Sequence, residues 1–226
     1  MLLGILNAQA AGGATGLYVA VGGFFDGSSN PKMTTSPDGT SWTTRTSGFG
    51  SAEIFSVTFG DGLYVAAGES GNLTTSPDGI TWTSRTSGFG TNGIRDVTFG
   101  NGLYVAVGGF WDGSSYPKMT TSPDGTSWTT RTSGFGSAEI FSVTYGDGLY
   151  VAAGESGNLT TSPDGTTWTT RTSGFGTTAI TSVTFGNGLY VAAGNSGIIT
   201  TSPDGITWTS RTSGFGTTTI SGVTFG

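Results

Sequence analysis

Thr75-Ser76-Pro77-Asp78-Gly79-Ile80-Thr81-Trp82 is the stretch on which the fold turns, because versions of it recur along the whole chain. Its tryptophan falls at Trp42, Trp82, Trp128, Trp168 and Trp208. Within it, proline presets the first turn residue, aspartate caps the turn with its own side chain, and glycine takes the left-handed position. The flanks, Asn72–Ser76 and Thr81–Thr86, are rich in threonine with aliphatic or aromatic neighbours. They read as two short strands around a tight turn.

Working outward, each unit carries two more β runs. In the second unit these are Ile54–Phe59 and Leu63–Ala67, joined by Gly60-Asp61-Gly62. Gly-Asp-Gly or Gly-Asn-Gly between apolar runs is a hairpin signal, because these residues accept positive φ at little cost. The motif Leu-Tyr-Val-Ala starts at Leu17, Leu63, Leu103, Leu149 and Leu189, with spacings that alternate between 46 and 40 residues. A longer period overlies the short one, since residues 17–102 recur almost verbatim as 103–188. The copies differ at Phe25/Trp111, Asn30/Tyr116, Phe59/Tyr145 and Arg95/Thr181, among others.

Four antiparallel strands every 40–46 residues is the pattern of a propeller blade. The repeats begin in mid-unit near Gly16 and finish on the strand that the first unit lacks, Ile220–Phe225. Pairing those two ends completes a fifth blade and removes the unpaired edges. The sequence therefore predicts an all-β, closed five-bladed β-propeller over residues 16–226, behind an amino-terminal arm at 1–15. The first run of each unit should line the central channel and the tryptophan run should lie outermost. Val57, Val97, Val143, Val183 and Val223, with the aromatic residue two positions on, should pack between blades.

Composition limits the function. Of 226 residues, 42 are glycine and only 10% are charged, with a net charge of −6 and no cluster of Lys or Arg. Phosphate backbones need several positive charges on one face, so neither nucleic acid nor an anionic membrane surface is an expected partner. The absence of histidine removes the commonest general base and the commonest transition-metal ligand. With no cysteine, stability owes nothing to disulfides. No cofactor and no metal site is expected. The segment Met1–Gly13 has an apolar run too short to span a bilayer. It is read as an arm that docks on a neighbouring subunit, with a short signal peptide ending near Ala8-Gln9-Ala10 as the other reading.

Ser36-Pro37-Asp38-Gly39-Thr40-Ser41-Trp42 resembles the Asp-box of bacterial-neuraminidase-type repeat propellers, one residue shorter between Asp and Trp. The resemblance covers all five units. It implies a structural role, on the turn between third and fourth strands, for Asp38, Asp78, Asp124, Asp164 and Asp204 with Trp42, Trp82, Trp128, Trp168 and Trp208. That family also contains sialidases, which use an arginine cluster, a Tyr–Glu nucleophile pair and an aspartic acid/base. Here Arg45, Arg85, Arg131, Arg171 and Arg211 recur at one outer-strand position, on a pseudo-five-fold orbit that cannot converge. Only Arg95 is unique. The glutamates Glu53/Glu139 and Glu69/Glu155 are copies in blades that are not neighbours, whereas paired-carboxylate hydrolysis needs two groups a few ångströms apart. No enzyme is expected.

The longest departures from the repeat are Gly22–Lys32 and Gly108–Lys118, between the second and third strands. Aromatic faces beside Asp, Ser and Asn suit a sugar, whose apolar face stacks while its hydroxyls are hydrogen-bonded. Phe25, Asp26, Asn30, Trp111, Asp112 and Tyr116 are the candidate ligand-binding residues, with glycans as the expected ligand class. The other reading is that Phe24 and Phe110 merely tuck the loops onto their own blades. Three functions remain open: a lectin-like recognition module at an extracellular or virion surface, a virion or cell-surface structural protein, and a designed or recently amplified scaffold with no evolved ligand. The amino-terminal arm is similar to short arms on tailed-phage structural proteins, which implies contact with other structural subunits.

Overall fold

In the computed structural model, residues 4–6, 16–23, 32–109 and 118–226 are described, with 4–6 as backbone only. Five sheets of four antiparallel strands follow one another along the chain. Blade one holds β1 (Gly4–Leu6), β2 (Tyr18–Gly22), β3 (Lys32–Ser36) and β4 (Thr43–Thr44). Blade two holds β5 (Ile54–Gly60), β6 (Leu63–Gly68), β7 (Asn72–Ser76) and β8 (Thr83–Thr86). Blade three comprises β9 (Ile94–Gly100), β10 (Leu103–Gly108), β11 (Lys118–Ser122) and β12 (Thr129–Arg131). Blade four comprises β13 (Ile140–Gly146), β14 (Leu149–Gly154), β15 (Leu159–Ser162) and β16 (Thr169–Arg171). Blade five comprises β17 (Ile180–Gly186), β18 (Leu189–Gly194), β19 (Ile199–Ser202) and β20 (Thr209–Arg211).

The hairpins follow from the turn residues. Asp61, Asn101, Asp147 and Asn187 take φ between 43° and 48°, each followed by a glycine at positive φ, which matches the twist of the flanking strands. At the other turn, Asp78 Oδ1 accepts the backbone N–H of Ile80 and Thr81 at 2.8 Å each, and the hydroxyl of Ser76. The Trp82 indole N–H donates to Gly79 O at 3.0 Å. The same set recurs at Asp38, Asp124, Asp164 and Asp204. Because the backbone N–H of Thr81 and Ile80 bonds the charged form, Asp78 is held down to about 2.

The core lies between blades. At the first junction Val19, Val21, Met33 and Phe49 meet Ile54, Val57, Tyr64 and Ala66, and three further clusters of the same make-up follow. Burying each large apolar side chain contributes roughly 1.5–3 kcal/mol. The inner strands β5, β9 and β13 each end on a glycine that the next inner strand covers with an aromatic ring. A Cβ on Gly60, Gly100 or Gly146 would lie 2.0–2.1 Å from the ring of Phe99, Tyr145 or Phe185. That close approach is why glycine closes the strand.

Ring closure differs from the sequence expectation. The inner edge of β2 is occupied by β1, with Gly4 opposite Val21, Ile5 opposite Ala20 and Leu6 opposite Val19. Ile220–Phe225, expected there, forms no ladder and runs instead beside β17. It follows the pattern of a next inner strand: the Val223 N–H donates to Ser182 Oγ at 3.2 Å, and the Phe225 ring lies over Gly186. The segment 1–15 is thus not wholly an arm, since Gly4–Leu6 belongs to blade one. Ile5 opposite Ala20 takes the register that Val57 takes opposite Ala66 in blade two, so β1 stands where the inner strand of blade one was expected.

Candidate ligand site at the axial mouth

The inner strands bring one repeat position together from several blades. It is the residue following the first isoleucine of each inner run: Phe55, Arg95, Phe141 and Thr181, joined by Ser221 of the segment beside β17. These five line a single cavity of about 350 Å³ at one end of the channel. The mouth lies on the face where second strands end and third strands begin, because Ile54 pairs with Gly68 and Ile140 with Gly154. β2 and β10 end on that same face, at Gly22 and Gly108.

Arg95 dominates the mouth. Its Nε–H donates to Glu139 Oε1 at 2.7 Å, and its guanidinium carbon stands 5.2 Å from the centroid of the Phe55 ring. This places a cation on an aromatic face, a favourable geometry within about 6 Å. The remaining guanidinium N–H groups find no acceptor among the described residues. They form a donor fork suited to a planar anion. Phe55 and Phe141, both half-buried, give apolar walls from blades two and four. Thr181 spends its hydroxyl on the Ile220 and Ala193 carbonyls, so Ser221 is the more exposed hydroxyl of the pair.

One residue deeper, Asp96 replaces the serine found at that position in blades two, four and five (Ser56, Ser142, Ser182). Its carboxylate accepts the hydroxyls of Ser56 at 2.8 Å and Ser142 at 3.1 Å, and the N–H groups of Val97 and Val143 at 2.9 Å each. Elsewhere a serine alone makes this link, as where Val183 N–H donates to Ser142 Oγ at 3.2 Å. Asp96 is half-buried, and the protein packed around its carboxyl dominates. Burial pushes its pKa above the ordinary carboxylate value, and the hydrogen bonds only partly oppose the shift.

The sequence reading nominated other residues. Phe25, Asp26, Asn30, Trp111, Asp112 and Tyr116 lie outside the described residues. The turn aspartates are taken up by their own turns, with their tryptophans beside them. The repeated arginines each donate through Nε to a threonine of the adjacent strand, as Arg85 does to Thr75 Oγ1 at 2.9 Å. Glu69 and Glu155 accept the N–H of Glu53 and Glu139 at 3.2 Å. Arg95 was singled out as unique, but its companions were missed. The orbit argument holds for outer strands and reverses on the innermost strand, where symmetry-related positions converge on the axis. Unequal residues at one inner-strand position were the available signal.

Residues 84–225 match the DUF6242 beta propeller domain. The chain belongs to that family. Among curated proteins, none matches it. Solved structures of similar shape include YCF48 bound to D1 peptide, 18% identical over 88% of this chain and 64% of that one, with a TM-score of 0.62. The computationally designed Ika8 protein is 15% identical over 99% of this chain and 64% of its own, with a TM-score of 0.71. YCF48 from Cyanidioschyzon merolae is 18% identical over 85% of this chain and 69% of that one, at a TM-score of 0.57. At these identities the likeness is one of fold. The chain spans less than two thirds of the first two.

Proposed function

We propose that this propeller is a non-catalytic recognition module that takes a carboxylate-bearing, partly apolar segment of another protein at its axial mouth. The observation that carries the reading is the convergence of Phe55, Arg95, Phe141, Thr181 and Ser221 on one cavity. The Arg95 fork meets the carboxylate, while Phe55 and Phe141 cover the apolar group beside it. A peptide is the favoured source because one protein of this fold, YCF48, has been solved with a peptide bound. The mouth offers one cation already paired to Glu139, which suits recognition rather than acid–base chemistry. The carbohydrate reading rests on the two long connections, and no described residue adds support to it.

The test is a peptide array of acidic–apolar sequences read beside a glycan array, with the intact chain and an Arg95→Thr variant. Thr is the residue the duplicate carries at this position, at Thr181, so the variant is expected to fold. Binding to acidic peptides that disappears in the variant supports the proposal. Glycan binding that survives Arg95→Thr, or peptide binding indifferent to it, overturns the site.

A further inference from the structure

Blade three carries two ionisable side chains at consecutive positions of its inner strand, where the other repeats carry none. Phe55, Arg95, Phe141, Thr181 and Ser221 share one repeat position, and Ser56, Asp96, Ser142, Ser182 and Gly222 share the next. A regular strand sends neighbouring side chains to opposite faces. Here the ladder slips: Ile94 lies opposite Gly108 and Asp96 opposite Val107, which leaves Arg95 as the extra residue of a bulge. A bulge re-aims the side chains at its site. Arg95 lines the mouth, while the Asp96 carboxylate reaches Ser56 on β5 and Ser142 on β13, the inner strands on either side of β9.

The surroundings of Asp96 hold its carboxyl without requiring its charge. Its partners are two hydroxyls and two backbone N–H groups, all uncharged. A hydroxyl both donates and accepts, so a protonated carboxyl can donate to a serine that donates to the carboxylate. The charged groups at this end of the inner strands are Arg95, beside Asp96 on β9, with Glu53 ahead of β5 and Glu139 ahead of β13. Glu69 and Glu155, on the turns after β6 and β14, accept the Glu53 and Glu139 N–H groups. β5, β10 and β13 themselves bring no charged residue. Arg95 is the one cation in this set, and it bonds Glu139 rather than Asp96.

We propose that Asp96 is a specificity-determining residue of the mouth, which takes a carboxylate at Arg95 and a proton at Asp96 together. The inference rests on the reading of Arg95 as the group that receives the anion. An anion on the fork adds a like charge beside Asp96, and a like charge favours the protonated carboxyl. Linkage makes the effect reciprocal, so a protonated Asp96 raises the affinity for the anion by the same factor. The two shifts have one sign. Burial already holds the carboxyl above its ordinary pKa in the empty mouth, and the anion lifts it further. Affinity therefore rises as pH falls through the window between those two values, and is level on either side of it.

The probes are phenylmethanesulfonate and phenylacetate, which join an anion to an apolar ring. The sulfonate keeps its charge in acid, so that with it only the protein titrates. Dissociation constants are read by NMR titration of the intact chain, Asp96→Ser and Arg95→Thr, from about pH 8 down to about pH 5, above the ordinary carboxylate range. In the intact chain the sulfonate is expected to bind about tenfold more tightly at the acid end, the change that a coupled shift of about one pKa unit produces. Asp96→Ser carries the residue of the other blades, and a thermal melt checks its fold. Its affinity is expected to be level across the range, whereas a merely structural Asp96 would leave the pH profile unmoved. Binding that needs Arg95 but ignores pH in the intact chain overturns this inference and leaves the anion site standing. A pH dependence that survives in Asp96→Ser overturns it as well and assigns the proton to a glutamate. If neither probe shows Arg95-dependent binding at any pH, the reading of Arg95 falls and this inference falls with it.

Discussion

The turns at the outer rim and the residues at the axial mouth are products of one repeat, yet they have diverged to opposite extents. At the rim, Ser-Pro-Asp-Gly-x-x-Trp is written five times with the same carboxylate accepting the same two N–H groups. At the mouth, the same repeat position holds phenylalanine, arginine, phenylalanine, threonine and serine. The rim residue answers to its own turn in every blade, so each copy meets an identical demand. The mouth residue faces the common axis and is not needed by its strand. Five copies of one position there make a surface whose chemistry can be composed residue by residue.

The largest expected effect tests the mouth. Arg95→Thr removes a charged donor fork, and hydrogen bonds to charged groups are worth about 1.5–3 kcal/mol. A loss of about 100-fold in affinity for acidic peptides is expected, since each 1.4 kcal/mol is about tenfold. The melting temperature should stay nearly constant. A large drop in stability with binding retained would place Arg95 among the structural residues and erase the contrast with the rim.

The rim should behave in the opposite way. Asp78→Ala strips the turn of its acceptor for Ile80 N–H, Thr81 N–H and the Ser76 hydroxyl. A drop in melting temperature of about 2–4 °C is expected, the shift that corresponds to a loss of about 1 kcal/mol in a chain of this size. Peptide affinity should not move. The pH dependence carries the same message. Asp78 has a folded pKa of about 2, below its unfolded value near 3.9. Its contribution is therefore present above about pH 4 and is lost as pH falls through about 2. Asp38, Asp124, Asp164 and Asp204 are lowered in the same sense, so acid melts should show stability falling across that window. A flat acid limb would show that the turns do not hold their carboxylates charged.

Strands and turns were legible in the sequence because their signals are local. Gly60-Asp61-Gly62 and Pro77-Asp78-Gly79 state their turns within a few residues, and the glycine ending β5, β9 or β13 marks where the next ring lands. Closure was not legible, because Gly4–Leu6 rather than Ile220–Phe225 takes the edge of β2. A three-residue run with no repeat signature gave no warning. The mouth was legible only in part. Arg95 stood out as unrepeated, but Phe55, Phe141 and Glu139 looked like ordinary copies until the inner strands were brought onto one axis. Asp96 carried a weaker mark, as an acid at a position where three other blades have serine.

That acid yields the next prediction. Because its folded pKa is raised, the folded state holds its proton more tightly than the unfolded chain, and stability falls as pH rises above the unfolded value near 3.9. Asp96→Ser restores the repeat residue and removes the cost. At pH 7 a rise in melting temperature of about 2 °C is expected, corresponding to roughly half a kcal/mol or more. Near pH 3 the gain should vanish, since both states are then protonated. A variant less stable at pH 7 would show that the four hydrogen bonds to the carboxylate outweigh its burial.

The smallest effect separates two roles of Glu139. It holds the Arg95 side chain in place through Nε, and it is also an anion standing where an anionic ligand must approach. Glu139→Gln keeps an acceptor for the Nε–H and removes the charge. If competition dominates, acidic peptides should bind about 2–5-fold more tightly, in keeping with the 0.2–1 kcal/mol that partly exposed ion pairs are worth. The salt dependence of binding should also change, because an unopposed guanidinium attracts an anion over a longer range in dilute salt than in concentrated salt. If positioning dominates, affinity should weaken, since the fork loses the partner that aims it across Phe55. Glu139→Ala tells the two apart, because it removes both the charge and the acceptor: tighter binding in Gln with weaker binding in Ala would show that the mouth needs the hydrogen bond but not the charge. The contrast between rim and mouth then narrows to one atom. At the rim a carboxylate oxygen closes a turn and excludes any other use, whereas at the mouth it aims a cation that remains available to a ligand.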